Sequence, residues 1–443
     1  MLFGFARTDI TPRVGVGLYG FGAFLNRKST AVRAPLYARA MAASDGQTCA
    51  IVVSCDLVGV SGDITERVRE TVAAATGVPG QNLCVHCTHT HSGPRTKYGI
   101  GQGDIDPPYL ELLPNRIAAA CIKAFEGLEP GVLHHATVPC VGLGYNREHD
   151  VRPALQDALR EDWRPAMPEI TDTEAQVLSV YGDQGLRGFA SYFSCHPVVG
   201  SESSTYISSD FCGVATDLLQ REHSNAIGLY LQGCEGNINS CVVHHSEQDS
   251  LLALDVLASR YARQVRPGIS DGAPLNGDTV AALSRRYRLT RAPLPMELLR
   301  DRLAECEAIL YADDADDGDP GWRRTVVTAM AVRKELARQE RGEPFDDTVE
   351  VQALRIGDLT IVGAPFEIMH RYKRRVQAEF STPVLVLSIC NDSLGYAPEI
   401  ESFDIEDNYA ARTVPYMLGY PPLAPRVEDE LVAAMTEMVR NVR

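Results

Sequence analysis

Cys49-Ala-Ile-Val-Val-Ser-Cys55, the segment from Asp63 to Thr76, and Leu83-Cys-Val-His-Cys-Thr88 form the stretch that decides the fold class. The first run is apolar and β-branched over a strand's length, so it reads as a buried strand. Ile64, Val68 and Val72 then recur at helical spacing, Asp63 and Glu66 offer a capping box, and Gly77 supplies a stop. A second strand follows over Leu83 to Thr88. Strand, helix, strand implies a parallel pair joined by a right-handed crossover, and the expected class is α/β in the mixed (α+β) sense.

Outward from this unit, further strand-sized runs occur at Gly188–Cys195, Ala226–Gln232, Leu359–Gly363 and Pro383–Ile389. Between about 293 and 345 the pattern turns helical, with Leu299, Leu303, Cys306 and Leu310 on one face, and this reads as an excursion from the sheet core. Its middle, Asp313-Asp-Ala-Asp-Asp-Gly-Asp319, lacks the ligand spacing and closing glutamate of a calcium loop and reads as a solvated acidic turn. Val427–Arg443 reads as a terminal helix. No internal repeat or Pro/Ser-rich linker appears, so residues 1–443 are expected to form a single large domain.

Composition narrows the function classes. Lys+Arg 42 against Asp+Glu 58 leaves a net charge of −16, which repels phosphate backbones and argues against a nucleic-acid partner. No apolar run approaches the roughly 20 residues a membrane span needs. The opening Met1-Leu-Phe-Gly-Phe-Ala-Arg7 lacks the regions of a signal peptide, so a soluble, cytoplasmic protein is expected. Most of the 12 cysteines read as buried thiols, Cys84 and Cys87 included, because no second pair stands at zinc-site spacing.

The chemistry-bearing residues follow the strands. His89-Thr-His91-Ser-Gly-Pro94 comes after the second strand, His196-Pro197 after Cys195, and Glu235-Gly-Asn237 after Gln232. Glu367 follows Leu359–Gly363, and Asn391-Asp-Ser-Leu-Gly-Tyr396 follows Pro383–Ile389. Ligand sites gather outside the carboxyl ends of parallel strands, so these loops are expected to share one cleft. Two imidazoles, one carboxylate and a polar aromatic compose a borderline-soft ligand set for Zn²⁺ with room for water.

These segments resemble the neutral/alkaline non-lysosomal ceramidases. Arg7-Thr-Asp-Ile-Thr-Pro12, Leu36-Tyr-Ala-Arg-Ala40 and above all Thr88-His-Thr-His-Ser-Gly-Pro94 carry the resemblance. Asn146-Arg147, Ser194-Cys-His-Pro197, Ser208-Ser-Asp210, Pro365-Phe-Glu367 and Asn391–Tyr396 follow in the family's order. The resemblance covers roughly 1–270 and 350–425. It implies a neutral-ceramidase-like catalytic domain of mixed β-sheets flanked by helices. It places the zinc ligands on His89, His196, Glu367 and Tyr396, with Tyr409 as a competitor for the last position. His91 and Arg147 would be the catalytic groups contacting substrate, and Asn237 and Asn239 would line the substrate site. Two departures stand out. Gly236-Asn-Ile-Asn239 replaces the family's Gly-Asp-x-Ser unless the register slips to Ser240, and the chain ends at Arg443 without the family's C-terminal immunoglobulin-like domain.

The implied reaction is metal-assisted acyl transfer to water, in which Zn²⁺ lowers the pKa of bound water from 15.7 to about 7. The expected substrate is a small soluble amide. An ester or lactone is the first alternative, a catalytically silent binding protein the second, and a phosphoesterase the third. The last ranks lowest because paired metals usually need bridging carboxylates, and Glu367 alone supplies one.

Overall fold

The structure, a computed structural model, describes residues 1–223, 226–406 and 408–443. Its first sheet is built from β1 (Leu2–Asp9), β2 (Tyr37–Ser44) and β3 (Cys49–Cys55), then helix α1 (Gly62–Thr76), strand β4 (Leu83–Cys87) and helix α2 (Pro107–Glu126). The spatial order is β4-β3-β2-β1, with Glu129–Pro130 on the outer edge of β1. The pairs β1/β2 and β2/β3 are antiparallel and β3/β4 is parallel. The strand–helix–strand expectation therefore holds, with the second strand ending at Cys87.

The same plan recurs twice. The second sheet contains β5 (Val132–Pro139), β6 (Glu174–Gly182) and β7 (Gly185–Phe193), then α3 (Asp210–Glu222), β8 (Ile227–Gln232) and α4 (Glu247–Ser270). Again two antiparallel steps precede one parallel step, β7 to β8. The third sheet opens with β9 (Val280–Arg288), is interrupted by the helices α5 (Met296–Leu310) and α6 (Pro320–Glu340), and resumes with β10 (Thr348–Ile356) and β11 (Leu359–Gly363). Helix α7 (His370–Gln377) crosses to β12 (Val384–Leu387), parallel to β11, and α8 (Val427–Val442) closes the unit. Against the expectation of no internal repeat, one topology is used three times.

Strand periodicity explains the packing. Successive side chains alternate faces, and in β2 and β3 Met41, Ala43 and Val52 enter a core shared with Leu178 and Tyr192 of the second sheet and Leu354 and Leu385 of the third. Their neighbours Ala40, Ala42, Ile51 and Val53 face the other way, onto the core that holds Val68 of α1 and Ile117 of α2. The three sheets thus meet through their inner faces and wear helices outside, which is why both faces of β3 are apolar. Cys84 and Cys87 sit in these two different cores, and all 12 cysteines are free thiols.

One local expectation needs correction. The capping box at Asp63 and Glu66 does not form: α1 begins at Gly62 behind Ser61, with no side-chain cap. Its C-cap behaves as expected, since Gly77 adopts φ 76° and its N–H reaches the Ala73 carbonyl. The acidic turn between α5 and α6 is exposed, and Asp319 caps α6 by accepting from the Trp322 N–H at 2.7 Å. No helix among the described residues is long and apolar enough to cross a membrane.

Candidate functional site

The carboxyl ends of the three parallel pairs open onto one cavity of about 750 Å³. His89 enters it from the turn after β4. The backbone there has φ 70°, a strained value for a non-glycine residue, and it is held because the His89 N–H donates to the Leu57 carbonyl and Nδ1 lies 2.6 Å from the Val58 carbonyl. His196 arrives after β7, with Nδ1 2.7 Å from the Glu235 carbonyl. Both rings therefore spend Nδ1 on a carbonyl and turn Nε2 toward the cluster, the orientation a metal-ligating imidazole needs.

Glu367 and Tyr396 are brought in by a short parallel ladder, Glu367–Ile368 against Tyr396–Ala397, in which the two residues are direct partners. Glu367 Oε2 lies 3.1 Å from His196 Nε2 and 3.4 Å from His89 Nε2, and His91 Nε2 lies 3.1 Å from His89 Nε2. Nitrogen and oxygen ligands 2.0–2.1 Å from a tetrahedral zinc stand roughly 3.3 Å apart, so the spacing fits one small divalent ion. The three imidazoles alone form a buried group capable of holding a metal. Tyr396 stacks on His196, ring centroids 6.4 Å apart at 27°, and is buried, whereas Tyr409 lies one ring further out and is 45% exposed.

The charge states agree with a cation site. Burial alone would raise the Glu367 carboxyl, but His89 and His196 outweigh it and hold the pKa well below the usual carboxylate range. Burial, with His89 and His196 adding to it, pushes His91 well below the imidazole range, so its ring is neutral. Burial also moves the Glu235 carboxyl up to about 8, and a neutral acid there does not compete with Glu367 for a cation.

The remaining expected residues divide. His91 differs from its two neighbours in having no partner for Nδ1 among the described residues. Its ring meets Phe21 edge-on, centroids 5.0 Å apart, and lies over Gly20, where a Cβ would come within 2.5 Å of the imidazole. Arg147 follows the strand pair Gly144–Asn146 and Ile238–Ser240 and reaches the Gly236 carbonyl at 2.6 Å and Asn239 Oδ1 at 3.4 Å. Its guanidinium stands 5.1 Å from the Tyr396 ring centre. Asn239 lines the cavity.

Asn237 does not line it. Its oxygen accepts from the His370 N–H at 2.9 Å and its amide donates to Glu399 at 3.1 Å, so both polar groups are spent on holding the loop and none remains for substrate. Ser240 is likewise turned away, its hydroxyl donating to the Val242 carbonyl at 2.7 Å, so no register slip restores a serine to the site. Sequence reasoning missed Tyr19, Phe21 and Lys97, and also Arg323 and Arg324 of α6, all of which line the cavity. Only Lys97 carried a signal, as a lysine just beyond the His-Ser-Gly-Pro motif.

Comparison with known proteins agrees with this architecture. Residues 1–245 match the family described as neutral/alkaline non-lysosomal ceramidase, N-terminal. The fold is similar to that of neutral ceramidase from Pseudomonas aeruginosa, with a TM-score of 0.73 at 21% identity over 99% of this chain and 74% of the other. It is similar to a ceramidase complexed with C2 at the same TM-score of 0.73 and 20% identity, over 100% of this chain and 76% of that one.

Proposed function

Because the chain belongs to the neutral/alkaline non-lysosomal ceramidase family, we propose that it is a zinc-dependent hydrolase that cleaves the C–N bond of a small soluble amide with water as the acceptor. Family and fold support amide hydrolysis. The observation that carries the metal is the convergence of His89 Nε2, His91 Nε2, His196 Nε2 and Glu367 Oε2 through contacts of 3.1–3.4 Å, the spacing of ligand atoms around one ion. His89, His196 and Glu367 would hold the ion, with Tyr396 closing the set. The metal would supply polarisation of the scissile carbonyl and a water of lowered pKa.

The protein's own residues do the rest. Arg147 is fixed by the Gly236 carbonyl and directs a permanent positive charge at the developing oxyanion. His91, neutral and unanchored at Nδ1, takes a proton at Nε2 from the attacking water and returns it to the leaving nitrogen. Phe21, Val58 and Val198 exclude bulk water from the carbonyl. Asn239 stands where the family's serine would be and offers no nucleophilic hydroxyl, which supports water over a covalent acyl-enzyme and a soluble substrate over long-chain ceramide.

Elemental analysis of the purified protein, joined to kcat/KM on short soluble amides and on micellar long-chain ceramide, tests the reading. About one zinc per chain and a preference for the soluble amides are expected. Absence of any transition metal after zinc supplementation overturns the metal centre, and a strong preference for ceramide overturns the substrate assignment.

A further inference from the structure

Lys97 lines the same cavity as the histidine cluster, yet it is 9% exposed. Its ammonium donates to the Ser393 carbonyl at 3.1 Å and to the Ser393 hydroxyl at 2.5 Å. An ammonium has three donors, and no third acceptor reaches it among the described residues. No carboxylate among the described residues lies within ion-pair distance of it either: Asp392 and Glu367 act on it only through space. A buried charge without a counter-charge is costly, and such charges in folded proteins are paired or serve a ligand.

The other acids facing the cavity are already engaged. Glu148 accepts from Ser402 at 2.8 Å and from Asn408 at 2.6 Å, Glu202 pairs with His244 at 2.8 Å, and Glu367 belongs to the metal cluster. With a divalent ion in place, Glu367 is neutralised and the pocket holds Arg147 and Lys97 uncompensated. Arg323 and Arg324, near the start of α6, stand at the same cavity and add to this field. The protein as a whole carries −16, so the positive lining is local and runs against the net charge.

We infer that Lys97 is the anchor for an anionic group, carboxylate or phosphate, carried by the amide substrate at a distance from the scissile bond. This deepens the hydrolase reading and rests on it for the placement of the amide. The ammonium's free donor forms a charge-assisted hydrogen bond to the anion on the Tyr19 side, where Nζ stands 6.0 Å from the Tyr19 ring centre. An acyl chain then lies along Phe21, Val243, Val414 and Leu418.

Three probes test it: N-octanoylglycine, N-octanoyl-O-phosphoethanolamine and the neutral N-octanoylethanolamine. For each, kcat/KM is measured on the zinc-loaded protein, and Kd is measured by calorimetry on the zinc-loaded Arg147→Lys variant, which keeps the positive charge and whose slow turnover leaves the probe intact during the titration. At least one anionic probe is expected to exceed the neutral one by about tenfold or more in both measurements, and the better of the two identifies the anion. Lys97→Met is expected to bring the ratio to within about twofold. If that variant does not fold, Lys97→Gln, which keeps a donor to Ser393, is expected to lower the ratio several-fold. The inference is overturned if the neutral probe matches both anionic ones in wild type, or if the preference survives in a folded Lys97 variant. Absence of turnover on all three probes with the binding preference intact would defeat the hydrolase reading and leave the anion anchor supported.

Discussion

Two histidine-centred nodes lie three residues apart and are built from the same parts, yet one is closed and the other open. At the first, His86 Nδ1 lies 2.9 Å from the Ser388 carbonyl and Nε2 accepts from the Gln232 N–H at 2.8 Å. Both ring nitrogens are satisfied, and the bonds tie the ends of β4, β8 and β12 together. At the second, His89 spends Nδ1 on Val58 and turns Nε2 toward other lone-pair groups. Burial is nearly complete at both, 0% and 2% exposed. What separates a structural histidine from a candidate ligand is therefore not depth or residue type, but whether the protein itself supplies the partner for the second nitrogen.

The largest effect that would break this comparison is expected at His196. His196→Ala removes a proposed ligand whose Nδ1 is already anchored, and should eliminate stoichiometric zinc and lower kcat by at least ~10³-fold, since both metal polarisation and water activation would go with it. His89→Ala should behave alike. Zinc content by elemental analysis and amide turnover decide the matter; undiminished zinc in both variants would mean the open node is not a metal centre.

Arg147 comes next. A lysine at 147 keeps the charge but loses the planar fork that bonds the Gly236 carbonyl while facing the cavity, so Arg147→Lys should lower kcat by about 10²-fold with zinc content unchanged. An ordinary surface ion pair is worth only about 0–1 kcal/mol, and turnover within a few-fold of wild type would remove Arg147 from the catalytic groups.

The closed node offers a test by pH. Burial lowers the His86 pKa from 6.5 to about 4, against the smaller upward pull of the Ser388 carbonyl. The fold therefore favours the neutral ring. The stability this contributes is present above pH 6.5 and is lost as pH falls toward 4. His86→Gln should be less stable than wild type at pH 7.5, but the gap should narrow by about 2 kcal/mol at pH 5, because the variant has no imidazole to protonate on unfolding. Urea midpoints at the two pH values read this out. A gap that does not change with pH would show that His86 titrates alike in both states.

Much of the open node was legible in the sequence because each of its residues follows a strand whose apolar run is unmistakable. His89 and His196 stand just past β4 and β7, and Glu367 just past β11, so chain order alone suggested a common cleft. Orientation was not legible. Asn237 and Asn239 are two residues apart and chemically identical, yet one is consumed by His370 and Glu399 while the other faces the cavity. Nor was the threefold plan visible. Each unit is interrupted between its first and second strands, by residues 10–36, by 140–173, and by the segment carrying α5 and α6, so a shared order of strands leaves no shared residue spacing. Lys97 went unread as a site residue because its meaning lies in the absence of a counter-charge, which only three dimensions reveal.

The smallest expected effect sharpens the edge of the open node, where two tyrosines compete. Tyr396 is 7% exposed, is the ladder partner of Glu367 and stacks on His196. Tyr409 is 45% exposed, and its hydroxyl lies 3.9 Å from the Met417 sulfur. Burial raises the Tyr396 phenol well above its ordinary value, with Arg147 pulling it back, so only a cation at the cluster would make that oxygen a good ligand. Tyr396→Phe should thus weaken zinc binding by about tenfold, while Tyr409→Phe should leave it unchanged and alter kcat/KM by no more than about threefold, the scale of one exposed hydroxyl. The measurement is competitive zinc titration against a chelator for both variants. A loss of affinity confined to Tyr409→Phe would move the fourth ligand outward by one ring and make the open node wider than the ladder of Glu367 and Tyr396 implies.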